Sequence, residues 1–82
     1  MQKILLIAML LLLGVSSFSQ NAAQLYAKGD ALYEDKMYQD ALDVYEEIVQ
    51  AVPTEQAYFK RGRCNFELEK YVAADKDFAN VL

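Results

Sequence analysis

Histidine and tryptophan are absent from this chain of 82 residues, and cysteine and proline occur once each, as Cys64 and Pro53. Without an imidazole there is no general base of near-neutral pKa and no Cys–His or Ser–His pair for nucleophilic catalysis. A single thiol can neither build a zinc cluster nor close an internal disulfide, so no metal, cofactor or covalent staple is expected. Positive charge is also in short supply. Eight Lys and Arg stand against twelve Asp and Glu, a net charge of −4, which argues against nucleic acid, whose phosphates require a basic surface. Asp43, Glu46 and Glu47 cluster on one stretch, but a calcium loop needs alternating ligands around a Gly turn, so they read as a solvated face. No catalytic residues are expected, and the chain reads as a binder rather than an enzyme.

The amino-terminal stretch is of a different kind. Lys3 precedes an apolar run from Ile4 to Val15, followed by Ser16-Ser17-Phe18-Ser19-Gln20 with small residues at 17 and 19. This is the layout of a secretory signal peptide over residues 1–19, with cleavage expected after Ser19. A membrane-spanning helix wants about 20 apolar residues, more than this run supplies. No cysteine lies near the cleavage region, which argues against a lipid anchor. Export to a bacterial periplasm or to the outside is the expectation, with residues 20–82 as the folded domain and no integral span after cleavage.

Tyr38 to Pro53 organises that domain. Its apolar residues Tyr38, Ala41, Leu42, Tyr45, Ile48, Val49 and Val52 recur at helical spacing, with Gln39, Asp40, Asp43, Glu46, Glu47 and Gln50 between them. Pro53 ends the run, because proline lacks the N–H a helix interior needs and drives Val52 out of the α region. Before it, Ala22 to Asp35 reads as a helix with Asn21 as N-cap. After it, Thr54 reads as the N-cap of a third helix over about Glu55 to Glu69, with Glu55 in its first turn. A fourth helix begins near Tyr71 and runs to the end of the sequence. The short turn at Lys36-Met37 makes the first two helices antiparallel neighbours.

A shift of 33 residues superposes much of this pattern on itself. Tyr26 falls on Phe59, Gly29 on Gly62, Tyr33 on Phe66, Tyr38 on Tyr71, Ala41 on Ala74, Tyr45 on Phe78 and Ile48 on Val81. A fixed period of this length signals stacked supersecondary units. The spacing of Leu25, Gly29, Leu32, Ala41-x-x-x-Tyr45 and Pro53, with a second copy at Tyr58, Gly62 and Ala74-x-x-x-Phe78, resembles the tetratricopeptide repeat family from about Ala22 to Leu82. The resemblance implies an all-α solenoid of helix–turn–helix units. Repeat one covers about residues 22–54 and repeat two about 55–82, the second incomplete. It also implies that Gly29 faces Ala41 so that the two backbones approach closely.

Some positions depart from that pattern. Arg61 and Asn65 stand where a large apolar residue is usual, and the arginine is expected to pack its stem while its head reaches solvent. Asp75 replaces the apolar residue matching Leu42. Cys64 is expected to be a buried small residue rather than a reactive thiol.

In the family the first helix of each repeat lines a concave groove for a peptide or partner helix. Carried over, the resemblance assigns that groove to Tyr26, Asp30 and Tyr33 of the first repeat and to Phe59, Lys60, Arg63 and Phe66 of the second. Lys60 and Arg63, at i and i+3, form a basic pair that could receive an acidic group, with Arg63 on an exposed face. The competing reading is that the aromatic rings pack on one another between repeats. The clamp residues of chaperone-binding members do not carry over, since Tyr26 and Asp30 occupy those places. Two repeats leave an apolar end uncovered, so either the chain continues past Leu82 or copies associate through the exposed carboxy-terminal helix, with continuation favoured. The overall expectation is an exported protein-interaction scaffold. The alternative is the leading module of a longer envelope protein whose catalytic or cell-wall-binding domain lies beyond Leu82.

Overall fold

The computed structural model describes residues 21–81, so the expected leader and its cleavage site lie outside the described residues. Four helices follow one another: α1 (residues 21–34 of the described chain), α2 (Tyr38–Ala51), α3 (Glu55–Glu67) and α4 (Tyr71–Ala79). Among the described residues there is no strand. The helices pack as antiparallel neighbours. Cross-contacts from Phe66 to Tyr71 and from Phe59 to Phe78 run in opposite directions along α3 and α4.

The turns explain both the shape and the helix lengths. At the end of α1, Lys36 adopts a left-handed φ of 62°, its N–H bonds to the Tyr33 carbonyl, and the Met37 N–H reaches back to Leu32. At the end of α3, Glu69 has the same φ of 62°, with bonds from Glu69 to Phe66 and from Lys70 to Asn65. These are two Schellman closures one repeat apart, each built without glycine. The second ends α3 at Glu67, two residues before the expected Glu69. Pro53 acts as anticipated: α2 stops at Ala51 and Val52 is extended. Thr54 caps α3 by accepting the Ala57 N–H at 3.2 Å. Asn21, by contrast, is itself helical rather than a cap.

The core forms where α2 meets its neighbours. Ala41, Leu42, Tyr45, Ile48 and Val49 are buried as their spacing predicted, and so is Val44, whose spacing had not marked it. Leu25, Tyr26 and Leu32 of α1 and Tyr58 and Leu68 of α3 and its turn pack against them. Gly29 is buried, and the atoms that come nearest to a side chain placed there belong to the Tyr45 ring. A Cβ there would lie 2.7 Å from Cε1 of that ring, one turn along α2 from Ala41. The second repeat reproduces the arrangement, with Gly62 against the Phe78 ring at 2.6 Å. The glycines thus make room for an aromatic ring, and Ala41 and Ala74 are buried in the core.

Candidate partner-binding groove

α1 and α3 lie side by side, and the residues assigned to the groove interact across their junction. Asp30 of α1 accepts from Lys60 Nζ of α3 at 2.6 Å and from the Tyr45 hydroxyl of α2. Burial raises the Asp30 carboxyl pKa, but the hydrogen bonds from Lys60 and Tyr45 and the charges of Lys60 and Arg63 outweigh it, so Asp30 titrates below the ordinary value of 3.8. The Tyr45 phenol is pushed strongly upward by burial and by its bond to Asp30.

Arg63 lies with its guanidinium 4.2 Å from the centroid of the Tyr33 ring and 5.5 Å from that of Phe59. It is half-buried, and its Nε has no hydrogen-bond partner among the described residues. The expected basic pair is therefore divided. Lys60 is neutralised by Asp30, and Arg63 is a stacking bridge between the repeats rather than a charge on an open face. Tyr26 places its hydroxyl 3.4 Å from Thr54 Oγ1. Phe59 packs at a tilt on Phe78, with centroids 6.0 Å apart, and Phe66 meets Tyr71 edge-on at 5.5 Å. Phe59 and Phe66 nevertheless remain 45% and 53% exposed. The ring–ring contacts among the described residues lie within each repeat rather than between repeats; Tyr33 serves the joint through Arg63, whereas Phe59 and Phe66 present ring surface outward.

Behind α3 lies a cluster that spacing did not reveal. Asp77 of α4 is buried and accepts from Arg61 Nε at 3.0 Å, from Arg61 Nη2 at 2.6 Å and from Asn65 Nδ2 at 2.9 Å. The Arg61 head therefore turns inward to a carboxylate instead of reaching solvent, and Asn65 is satisfied. The available signal was the 33-residue register. It places Asn65 on Leu32 and Asp77 on Val44, so an apolar contact in the first repeat becomes a polar one in the second.

Cys64 is fully buried, and burial pushes its thiol up to about 11. The matching Ala31 is exposed, because α3 is covered by α2 and α4 while the equivalent side of α1 is open. Asp43, Glu46 and Glu47 are exposed, as a solvated face requires. Among the described residues no three His, Cys, Asp or Glu side chains group as metal ligands, and no helix is long and apolar enough to cross a membrane.

Comparison with curated proteins and with solved structures finds no match. The sequence profile of the tetratricopeptide repeat matches residues 14–55 and, in a second placement, residues 26–81. Those matches span most of the chain, and the paired helices, repeated turns and glycine–aromatic contacts recur at the same 33-residue step. The chain belongs to the tetratricopeptide repeat family.

Proposed function

We propose that this protein is an exported scaffold that binds a peptide or partner helix along the α1–α3 face and carries out no catalysis. Repeats of this family are protein-interaction modules. The observation that carries the reading is the row formed by Phe59, Arg63 and Phe66. Two partly exposed rings flank a guanidinium that is already desolvated on one side and held by Tyr33. Ordered aromatic and arginine side chains of this kind make interaction hot spots, because little entropy remains to be lost on binding. With Lys60 committed to Asp30, Arg63 is the cation left for an acidic group on the partner. Export rests on the apolar run and small residues of the amino-terminal stretch, and a bacterial envelope is the compartment that fits.

The test is capture of a partner from envelope extract by the native chain, by Arg63→Ala and by Glu46→Ala on the opposite face. Arg63→Ala is expected to lose about 1 kcal/mol of stability with its stacking, yet remain helical by circular dichroism. Its affinity for a captured partner should fall by about 1.5–3 kcal/mol, as for loss of a charge-assisted contact, while Glu46→Ala binds like the native chain. Equal capture by all three would rule out the groove.

A further inference from the structure

Asp30 of α1 and Arg63 of α3 lie one repeat apart, so the two repeats fill the same place with opposite charge. A second difference goes with it. The ring that packs against the glycine is Tyr45 in the first repeat and Phe78 in the second, so a hydroxyl is present only beside the acid. That hydroxyl donates to Asp30 Oδ1 from a ring with no exposed surface. Lys60 Nζ, 2.6 Å away, donates to the same oxygen. Asp30 is thus tethered from the core and from the next repeat at once. Arg63 has no such partner. Its guanidinium lies on the Tyr33 ring, its Nε is unbonded among the described residues, and it takes part in neither of the ion pairs found there.

Resting on the groove reading, we propose that Asp30 sets the charge of the segment the groove accepts: by holding Lys60 it leaves Arg63 as the single seat for an acidic group, and a segment with two adjacent acidic groups is turned away.

A second acidic group would have to displace Asp30, and the contacts oppose that. The Lys60 side chain is 17% exposed and that of Asp30 46%, so the carboxylate is the more open of the two. An acidic group approaching Lys60 therefore meets like charge. If Asp30 is pushed aside, the Tyr45 hydroxyl loses its acceptor, and a buried donor left unpaired carries its full desolvation penalty. Glu67 adds to the exclusion. It is exposed one turn beyond Arg63, and the charges of both act on the Tyr33 phenol. One acidic group is compensated by Arg63, whereas the next finds Asp30 and Glu67. Phe59 and Phe66, each with ring surface outward, suit apolar residues on either side of that one group.

The test titrates isotopically labelled protein with three synthetic peptides of one apolar composition, carrying no Glu, one Glu or two adjacent Glu. Affinities are read from the amide NMR shifts of α1 and α3. The native chain is expected to bind the one-Glu peptide best. Asp30→Asn keeps a side-chain oxygen for the Tyr45 hydroxyl and releases Lys60. It should bind the two-Glu peptide about tenfold more tightly than the native chain does, the size of one added charge-assisted contact. Asp30→Asn combined with Lys60→Gln should lose that gain, which a merely structural change at Asp30 would not do. The role of Asp30 is overturned, with the groove left in place, by a native chain for which one Glu is not the best. An Asp30→Asn variant without the gain, or a gain that survives Lys60→Gln, overturns it in the same way. If no peptide shifts the α1 and α3 amides of any of these proteins, the groove reading fails and the role of Asp30 fails with it.

Discussion

Asp77 carries the sharpest energetic consequence at the scale of single residues. Its carboxylate is buried with two contacts from Arg61 and one from Asn65, so truncation strands both donors. Asp77→Ala is expected to destabilise the domain by about 3–5 kcal/mol, read from chemical denaturation. Asn65→Leu and Asp77→Val combined with Arg61→Lys, which install the first repeat's Leu32, Val44 and Lys28 and leave neither donor stranded, should recover most of that loss. Asp30 makes a different prediction. Its pKa is depressed, so its contacts contribute fully above the ordinary carboxylate value and are lost as pH falls through the lowered one. Melting temperatures between about pH 5 and about pH 2 should therefore fall less steeply in Asp30→Asn than in the native chain. Cys64, with its thiol near 11 and no exposed surface, should react with alkylating reagents at neutral pH only after unfolding. Burial of Cys64 and of the α2 face was legible from residue type and period. The Arg61–Asp77 pair and the division of Lys60 from Arg63 were not, because periodicity reports which face is covered and not which charges find one another across it.

Helix boundaries and turns set the next scale. Lys36 and Glu69 both hold left-handed backbone where glycine would be relaxed. Glu69→Gly is expected to raise stability by about 0.5–1 kcal/mol, the relief of φ strain exceeding the added freedom of the unfolded chain. A melt lowered by that change would show that the Glu69 side chain matters more than its backbone. Gly29 points the other way. A valine there would press on the Tyr45 ring, which is fully buried and tied to Asp30, so Gly29→Val should cost about 1–3 kcal/mol or more. The four helices and their order were readable because Pro53, Thr54 and the 3.6-residue rhythm are local signals. The end of α3 was misjudged by two residues. There the stop is made by a non-glycine residue in left-handed backbone, which has no residue-type signature. Gly29 was rightly expected to admit a close neighbour, but that the Tyr45 ring comes nearest depends on how far α2 slides along α1, which spacing alone does not give.

At the scale of the whole molecule, the expected leader predicts a mature chain beginning at Gln20. Intact mass of the protein recovered from the envelope checks it, and a chain retaining Ile4 to Val15 would refute cleavage. Within the folded part the two repeats share one backbone plan but are filled differently. Leu42, Val44, Tyr45, Ile48 and Val49 of the first repeat share one apolar cluster with Ala57 and Cys64 of the second, which adds a polar joint of Asn65 and Asp77 with the Arg61 head. Apolar burial carries a large heat-capacity change and weakens on cooling, whereas the cost of drying charged groups falls as temperature rises. The two kinds of contact therefore respond to temperature in opposite directions: cooling weakens the apolar cluster centred on α2, and warming lowers the cost of drying the Arg61–Asp77 pair.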